Sequence, residues 1–290
     1  MKSLRLSAVV LLAGLPLFTH AAGTRTHVSN AGNDANTAFS CDSAHPCRTF
    51  AAALTQTTPG GEILAIDSSG YGKVVIDRSV SIVAAPGVFA GIGVGAGGNA
   101  TGVEIATPGV DVVLRGLAIT GQGGTYGIEM TNGASLSVEN CVISNFSSSS
   151  QHGLAVSGAA TVRVVDTLFR KVRSGITLAA GATASVTGVQ INDAQYGIYV
   201  WGNTAGVTTS LFVSNTTIMG DFSQAVAVIS VVAGGSAKAT VSTSMIAGGN
   251  SGLYQSQSSG GSAVLESLGN NTIRQTSFQT VGTITTVGSI

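Results

Sequence analysis

Short hydrophobic runs that alternate with polar positions occur throughout residues 61–275. Leu136 and Val138, and then Cys141 and Ile143, are each separated by a single small or polar residue. This period of two predicts β-strands that turn one side toward a core. The runs are short and are interrupted by Gly, Asn, Asp and Ser, so we expect many short strands joined by tight turns.

Two columns of residues repeat in step along these runs. The first is a glycine, or once an alanine, followed by an aliphatic residue, and it begins at Gly102, Gly127, Gly153, Gly175, Gly197, Ala225 and Gly252. The second lies three residues before an aliphatic or aromatic residue, at Gly116, Asn140, Asp166, Gly188, Asn215, Thr243 and Asn270. Members of the first column are 22–28 residues apart, and periods of this length are typical of solenoids.

Each repeat has room for three strands, which predicts an all-β parallel β-helix. This is a three-sheet solenoid whose coils stack about 4.8 Å apart around a continuous core. The Gly, Asn and Asp of the second column tolerate the left-handed backbone that a sharp turn between strands requires. A propeller is excluded because its blades need about 40 residues each.

The segment before the coils has a different pattern. Residues 46–54 contain good helix formers with one apolar side, and residues 59–61 are Pro-Gly-Gly, which ends that pattern. A short capping helix here would cover the open first coil, whose core and strand edges need protection. We therefore divide the chain into a signal peptide (1–22), an N-terminal cap with a short helix (23–60), parallel β-helix coils (61–275) and a C-terminal cap or tail (276–290).

The first residues predict export. Lys2 and Arg5 precede an apolar run over residues 8–18, and Ala21 and Ala22 offer small residues for cleavage. This is the pattern of a secretory signal peptide. No later stretch reaches the ~20 apolar residues of a transmembrane helix. We expect a secreted or periplasmic protein with no transmembrane segment.

The amino-acid composition limits the kinds of molecule that the protein is expected to bind. The chain has 290 residues with 40 Gly, and 13 Lys and Arg balance 13 Asp and Glu. Without the two cations of the signal peptide, 11 basic residues face 13 acidic ones, so no basic surplus is present and nucleic acid is excluded as a partner. The 44% share of hydrophobic residues excludes a disordered chain.

Three cysteines follow the predicted signal peptide. In an oxidising compartment Cys41 and Cys47 are expected to form a disulfide, and Cys141 is expected to be a small buried residue. The alternative for the first pair is a metal site that includes His45.

These features together resemble the bacterial right-handed parallel β-helix repeat proteins of the pectin-lyase-like superfamily. The resemblance rests on the export signal, on Cys41 with residues 46–50, on residues 59–63, and on the repeated coils, and it covers nearly all of the mature chain. It implies a right-handed helix and a polysaccharide partner. Fold alone does not settle activity in this superfamily, which includes pectate lyases, polygalacturonases and proteins of unassigned function.

The resemblance implies that an enzyme with this sequence would be a polysaccharide lyase or a glycoside hydrolase. The Gln151-His152-Gly153 segment is similar to the Gly-His-Gly of polygalacturonases, but their Asn-x-Asp and Asp-Asp motifs have no counterpart. The alternative is a non-catalytic structural or surface-interaction β-helix.

The repeat register places four of the five tyrosines, all except Tyr71, and the only tryptophan beside or on one outward surface of the coils. These five residues are predicted to bind substrate, because flat rings suit the apolar faces of sugar rings. They are Tyr126, Tyr196, Tyr199, Trp201 and Tyr254. The alternative is ordinary packing, since a Tyr before Gly-Ile fills a coil corner and aromatic residues favour strands.

Glu104 and Glu129 occupy one outward column in adjacent coils. Two carboxylates about one strand spacing apart can raise the pKa of one of them or act as the acid and the nucleophile of a retaining glycosidase. They are also candidate ligands for Ca²⁺, which prefers hard oxygen donors. The alternative is a pair of solvated surface glutamates.

A second group of candidate catalytic residues lies at the corner before the same sheet. Lys171 and Asp193 share a column there, with Arg173 and His152 nearby. A lysine or arginine there could serve as the base of a β-elimination. The alternative is a surface ion-pair network that contributes little.

Overall fold

The structure is a computed structural model that describes residues 23–98 and 100–288. The predicted signal peptide, residues 1–22, lies outside the described residues. Within them the chain is almost entirely strands, with one 3-10 helix (Asp34–Phe39) and one α-helix, α1 (Phe50–Gln56). The all-β class with a short N-terminal helix is therefore confirmed.

The strands are short, as the interrupted hydrophobic runs predict. In chain order they are β1 (Gly23–Val28), β2 (Thr57–Ala65), β3 (Ser69–Gly70), β4 (Val74–Ile76), β5 (Val80–Ala84), β6 (Ala90–Gly95), β7 (Thr101–Ile105), β8 (Asp111–Arg115), β9 (Leu117–Gln122), β10 (Tyr126–Met130), β11 (Ser135–Glu139), β12 (Val142–Phe146), β13 (His152–Val156), β14 (Thr161–Val165), β15 (Leu168–Leu178), β16 (Thr183–Thr187), β17 (Gln190–Gly202), β18 (Thr208–Ser214), β19 (Thr217–Met219), β20 (Gln224–Ser230), β21 (Ser236–Ser242), β22 (Met245–Ala247), β23 (Ser251–Gln257), β24 (Ser262–Ser267), β25 (Thr272–Arg274), β26 (Phe278–Val281) and β27 (Ile284–Thr286).

Parallel pairing of these strands from coil to coil gives three faces. Face A is the sheet β1, β2, β5, β8, β11, β14, β16, β18, β21, β24, β27. Face B is β3, β6, β9, β12, β15, β17, β19, β22, β25, and face C is β4, β7, β10, β13, β15, β17, β20, β23, β26. Faces B and C are joined because β15 and β17 are long enough to run through both. The predicted three-sheet solenoid is confirmed.

The second repeated column of the sequence marks the corner between faces A and B. Its backbone is left-handed at six of the seven positions, with φ of 47–73° at Gly116, Asn140, Asp166, Gly188, Asn215 and Thr243. The last coil differs, because Gly269 adopts the left-handed conformation one residue before Asn270. The side chain of Asn270 instead accepts a hydrogen bond from the backbone N–H of Thr243 at 2.9 Å.

The first repeated column marks the start of face C, where consecutive coils come very close. A methyl group on Gly127 would lie 2.6 Å from the carbonyl oxygen of Gly153, and one on Gly197 would lie 2.3 Å from that of Ala225. The aliphatic residue that follows points inward and stacks on its neighbours; this stack is Val103, Ile128, Leu154, Ile176, Ile198, Val226 and Leu253, each at most 1% exposed. Burial of each such side chain contributes roughly 1.5–3 kcal/mol.

The N-terminal cap is built on α1 and the disulfide. Thr49 begins the helix by accepting a hydrogen bond from the backbone N–H of Ala52, and Phe50, at the first position of the helix, packs against Tyr71 with ring centroids 5.2 Å apart. Cys41 and Cys47 form the predicted disulfide, and the backbones of both are hydrogen-bonded to His27 in β1.

Strand β1 is not apparent in the sequence. Its inward position Thr26 is polar, so the alternation of hydrophobic and polar residues is hidden. Thr26 is fully buried and its hydroxyl is 2.8 Å from the hydroxyl of Thr57 in β2, which satisfies both groups. Among the described residues, no helix has the length and apolar character needed to cross a membrane.

Candidate functional site

The outer side of face C carries the aromatic residues and the glutamate pair, in the register that the repeats predict. One column is Thr101, Tyr126, His152, Ser174, Tyr196, Gln224, Ser251 and Phe278. A second is Val75, Glu104, Glu129, Ala155, Thr177, Tyr199, Ala227, Tyr254 and Val281. A third, shorter column is Trp201, Ile229 and Ser256.

Five of the rings on these columns contact another ring. We call the set Tyr126, His152, Tyr196, Tyr199, Trp201 and Tyr254 the aromatic ladder. The ring centroids are 5.4 Å apart in each of three pairs, which are Tyr126 with His152, Tyr196 with Tyr199, and Tyr199 with Trp201. Burial, and then the neighbouring Tyr196 and Tyr254, raise the pKa of Tyr199 to about 12. Tyr199 therefore presents a neutral ring and a hydroxyl group.

A small pocket opens in the middle of the ladder. Its volume is about 190 Å³, and it is lined by His152, Arg173, Ser174, Thr177, Tyr196, Tyr199 and Trp201. Arg173 lies over the ring of Tyr196, 5.6 Å from its centroid, and donates hydrogen bonds to Gln195 Oε1 and to the carbonyl of Ser149. The arginine is thus held by three protein groups at the rim of the pocket.

His152 is a neutral imidazole at pH 7. Burial lowers its pKa, and the nearby charge of Arg173 lowers it further. Its Nδ1 is 3.2 Å from the hydroxyl of Thr177, which in turn donates to Ser174 at 3.2 Å. A neutral imidazole in this position can accept a proton or a hydrogen bond from a ligand in the pocket.

Glu104 and Glu129 lie opposite each other on β7 and β10. Thr101 donates a hydrogen bond to Glu129 Oε2 at 3.0 Å. Burial raises the pKa of Glu129, as does the charge of Glu104, while the hydrogen bond from Thr101 lowers it. A carboxyl group with a raised pKa can act as a general acid beside an ionised partner.

The same pair is a poor calcium site by itself. Ca²⁺ takes about 6–8 oxygen ligands, and the two carboxylates with the Thr101 hydroxyl supply fewer. Across residues 23–98 and 100–288 no three His, Cys, Asp or Glu side chains come together in a way that could hold a metal ion. The ligands present therefore do not fit a calcium ion held by the protein alone.

A cavity of about 580 Å³ lies between Glu104 and the capping helix. Its polar lining includes Lys73, Asp77, Arg78, Thr101 and Glu104, and Asp77 and Arg78 form an ion pair at 2.8 Å. We call it the N-terminal cavity. Sequence reasoning missed Lys73 and Arg78 because the first coil lacks the Gly-Ile phrase; only the alternation of Val74 and Ile76 indicates that β4 belongs to face C.

A third opening lies at the other end of face C. This C-terminal groove has a volume of about 660 Å³ and is lined by Ser223, Gln224, Asn250, Ser251, Tyr254, Phe278, Thr280 and Val281. The side-chain oxygen Oε1 of Gln224 is buried and has no hydrogen-bond partner among the described residues. The amide and hydroxyl residues here were overlooked in the sequence because such side chains are common in any turn-rich chain.

Lys171 and Asp193 stand apart from these openings. Both have a left-handed backbone, with φ of 52° and 56°, at the bends where β15 and β17 pass from face B to face C. Both side chains are exposed and neither lines the pocket of the ladder. Among the described residues neither forms an ion pair, so the predicted surface network is not present there.

Comparison with known proteins identifies the architecture. A family model described as the right handed beta helix region matches residues 66–218, slightly more than half of the chain. No curated protein matches the sequence. The fold is also similar to two solved structures. One is the pectate lyase Pel9A, with 15% identity, 82% of this chain and 76% of that chain covered, and a TM-score of 0.48.

The other is a mutant of the PL6 family alginate lyase AlyGC. It has 13% identity, 92% of this chain and 40% of that chain are covered, and the TM-score is 0.58. The chain thus spans less than half the length of that lyase. At such identities the likeness concerns the fold alone, a right-handed β-helix.

Proposed function

We propose, on the premise that the chain belongs to the right-handed β-helix family, that it binds a polysaccharide along face C. The observation that carries the proposal is the aromatic ladder, whose rings touch in three pairs on one outer surface. Nine of the strands that the structure describes make up this face, so it extends over eight strand spacings, roughly 38 Å in all. A surface of that length suits a polymer better than a single small molecule.

The chemistry of the ladder supports a sugar ligand. A pyranose has apolar C–H faces that pack on aromatic rings, while its hydroxyl groups need hydrogen-bond partners at the edges. Tyr199 and Trp201 supply adjacent rings, and the neutral imidazole of His152 and the hydroxyl of Thr177 supply acceptors and donors beside them. The similar fold with a TM-score of 0.58 is that of an alginate lyase, a protein named for its action on a polysaccharide.

Retention in native gels that contain polysaccharides tests the proposal. We expect the wild type to be retarded by at least one polymer, and we expect Trp201→Ala and Tyr199→Ala to weaken binding at least tenfold, a loss of ~1.4 kcal/mol. Phe212→Ala is the matched control, because Phe212 is an aromatic residue that is 43% exposed on face A. Equal losses in the control, or unchanged retention of both ladder variants, would contradict the proposal.

Incubation of the protein with the same polysaccharides tests whether it also cleaves them. Glu104 and Glu129 are the proposed acid and base or nucleophile, because the raised pKa of Glu129 suits a proton donor. Release of reducing ends or of unsaturated products should disappear in the Glu104→Gln, Glu129→Gln double variant. If the double variant still released products, Glu104 and Glu129 would not be the catalytic residues. If the wild type were retained in the gels but released no products, a β-helix that only binds the polymer would be favoured.

A further inference from the structure

The two ends of face C differ in charge. From β17 to β26 the outer columns contain only aromatic, amide, hydroxyl and aliphatic residues among those that the structure describes. Toward the other end the same columns contain Glu104 and Glu129. A bound polymer that follows the face must be compatible with both ends.

The outer surface of face C is poorly suited to bind an acidic polymer. Carboxylates of uronic acids are recognised by Arg or Lys, most strongly by a free guanidinium fork. Arg173 is the cation at the ladder pocket, and its guanidinium is already directed to Gln195, Ser149 and the ring of Tyr196. Lys73 and Arg78, in the N-terminal cavity, are balanced there by Asp77 and Glu104. The Glu104 and Glu129 pair repels a polyanion.

The C-terminal groove provides what an uncharged sugar needs. Tyr254 and the exposed ring of Phe278 lie on adjacent strands, β23 and β26, and offer apolar surface. Gln224 and Asn250 bring amides, which both donate and accept, to the same groove. Sugar hydroxyls also both donate and accept, so the two sets of groups are complementary.

Gln224 has an additional feature. Its Oε1 is buried without a hydrogen-bond partner among the described residues, and an unsatisfied buried acceptor is costly. The same side chain lines the groove, so its amide lies where a ligand hydroxyl would meet it.

We infer that the polymer bound on face C is a neutral polysaccharide, with one sugar unit seated in the C-terminal groove against Tyr254 and hydrogen-bonded by Gln224 and Asn250. This inference rests on the proposed function of face C. It separates this chain from the uronate polymers that give the two similar lyases their names. The charge pattern of the outer columns and the lining of the groove support it together.

Calorimetric titration with defined oligosaccharides tests the inference. The neutral probes are hexamers of glucose, xylose, mannose and galactose, and the acidic probes are oligogalacturonate and oligoalginate. We expect binding of at least one neutral probe, with an affinity that changes less than twofold between low and high salt because no charge pair is involved. Gln224→Ala and Asn250→Ala should each weaken it at least fivefold.

Gln190→Ala is the matched control, because Gln190 is an exposed amide in β17 that lies on face B. Circular dichroism checks that each variant folds. If Gln224→Ala does not fold, Asn250→Ala still tests the groove, because Asn250 is exposed. Binding of acidic probes alone, weakened by salt, would overturn the inference and leave the proposed function intact. If both variants kept the wild-type affinity for a neutral probe, the assignment of the binding site to the C-terminal groove would be overturned. If no probe bound the wild type, the proposed function itself would be overturned.

Discussion

The N-terminal and C-terminal halves of face C share one scaffold and differ in their outer residues. In β10 and in β17 the inward residues Ile128 and Ile198 belong to the same stack, and a glycine precedes each of them. The outer residues two places after those glycines are Glu129 in one strand and Tyr199 in the other. The fold therefore fixes only the positions of the outer columns and leaves their chemistry free.

This difference has a structural cost in one half and not in the other. Burial raises the pKa of Glu129, and the like charge of Glu104 raises it further. The rings of Tyr196, Tyr199 and Trp201 pack on one another instead. We expect the N-terminal half to respond to pH and the C-terminal half to respond to the loss of ring contacts.

The largest expected effect concerns what the halves share. Ile128→Ala and Ile198→Ala should each lower the free energy of unfolding by ~2–5 kcal/mol, because both residues are fully buried in the same stack. Urea unfolding followed by far-ultraviolet circular dichroism measures this. Ser157→Ala, at an exposed outer position between the halves, is the control and should change it by about 0.5 kcal/mol or less. If only one of the two isoleucine variants lost stability, the two halves of face C would not share one core stack.

A smaller effect is expected at His152, where the halves meet. Its pKa is lowered in the folded protein, so the unfolded chain binds more protons just below the ordinary value of 6.5. Stability should therefore rise with pH up to about 6.5 and be lost as pH falls below it. Melting temperatures of the wild type and of His152→Gln from pH 5 to 8 measure this. A parallel pH dependence of the two proteins would contradict the expectation.

The smallest effect is expected at Glu129 and has the opposite sign. Its pKa is raised above 4.5, so the folded protein keeps a proton that the unfolded chain loses, and stability falls as pH rises past that value. Glu129→Gln should thus be more stable than the wild type at pH 7, by ~1 kcal/mol or less, and similar to it at pH 4.

Glu139→Gln is the control for that measurement. A hydrogen bond from Ser137 lowers the pKa of Glu139, and the nearby Arg115 and Arg163 lower it further. Its contribution is present above the ordinary value and is lost as pH falls, so Glu139→Gln should be less stable than the wild type at pH 7. If Glu129→Gln were less stable than the wild type at pH 7, as Glu139→Gln is expected to be, the expected destabilisation by Glu129 would be contradicted.

Much of the arrangement of face C could be predicted from the sequence. The repeated Gly-aliphatic phrase places Glu104 beside Glu129 and Tyr196 beside Gln224, because each coil adds one strand in the same register. The pairing of Arg115 with Glu139 across face A follows from the same register. The Cys41–Cys47 disulfide was predicted from spacing and compartment.

Other parts could not be predicted, for identifiable reasons. Strand β1 has a polar inward residue, Thr26, that is satisfied only by Thr57 far along the chain. Lys73 and Arg78 belong to a coil without the repeated phrase, and their cavity is closed by α1 from the cap. These features depend on contacts between segments that the repeat does not relate.

The sequence by itself determined the coil, its three faces and the columns of side chains, because the period of the core residues specifies which positions point inward and which stack. Only the tertiary structure decided what those side chains do once stacked. Rotamers and close neighbours set the partners of Arg173, the hydrogen bond of His152 to Thr177, and the unpaired amide oxygen of Gln224. Such contacts depend on distances of a few tenths of an ångström in three dimensions, which a linear pattern of residue types does not encode.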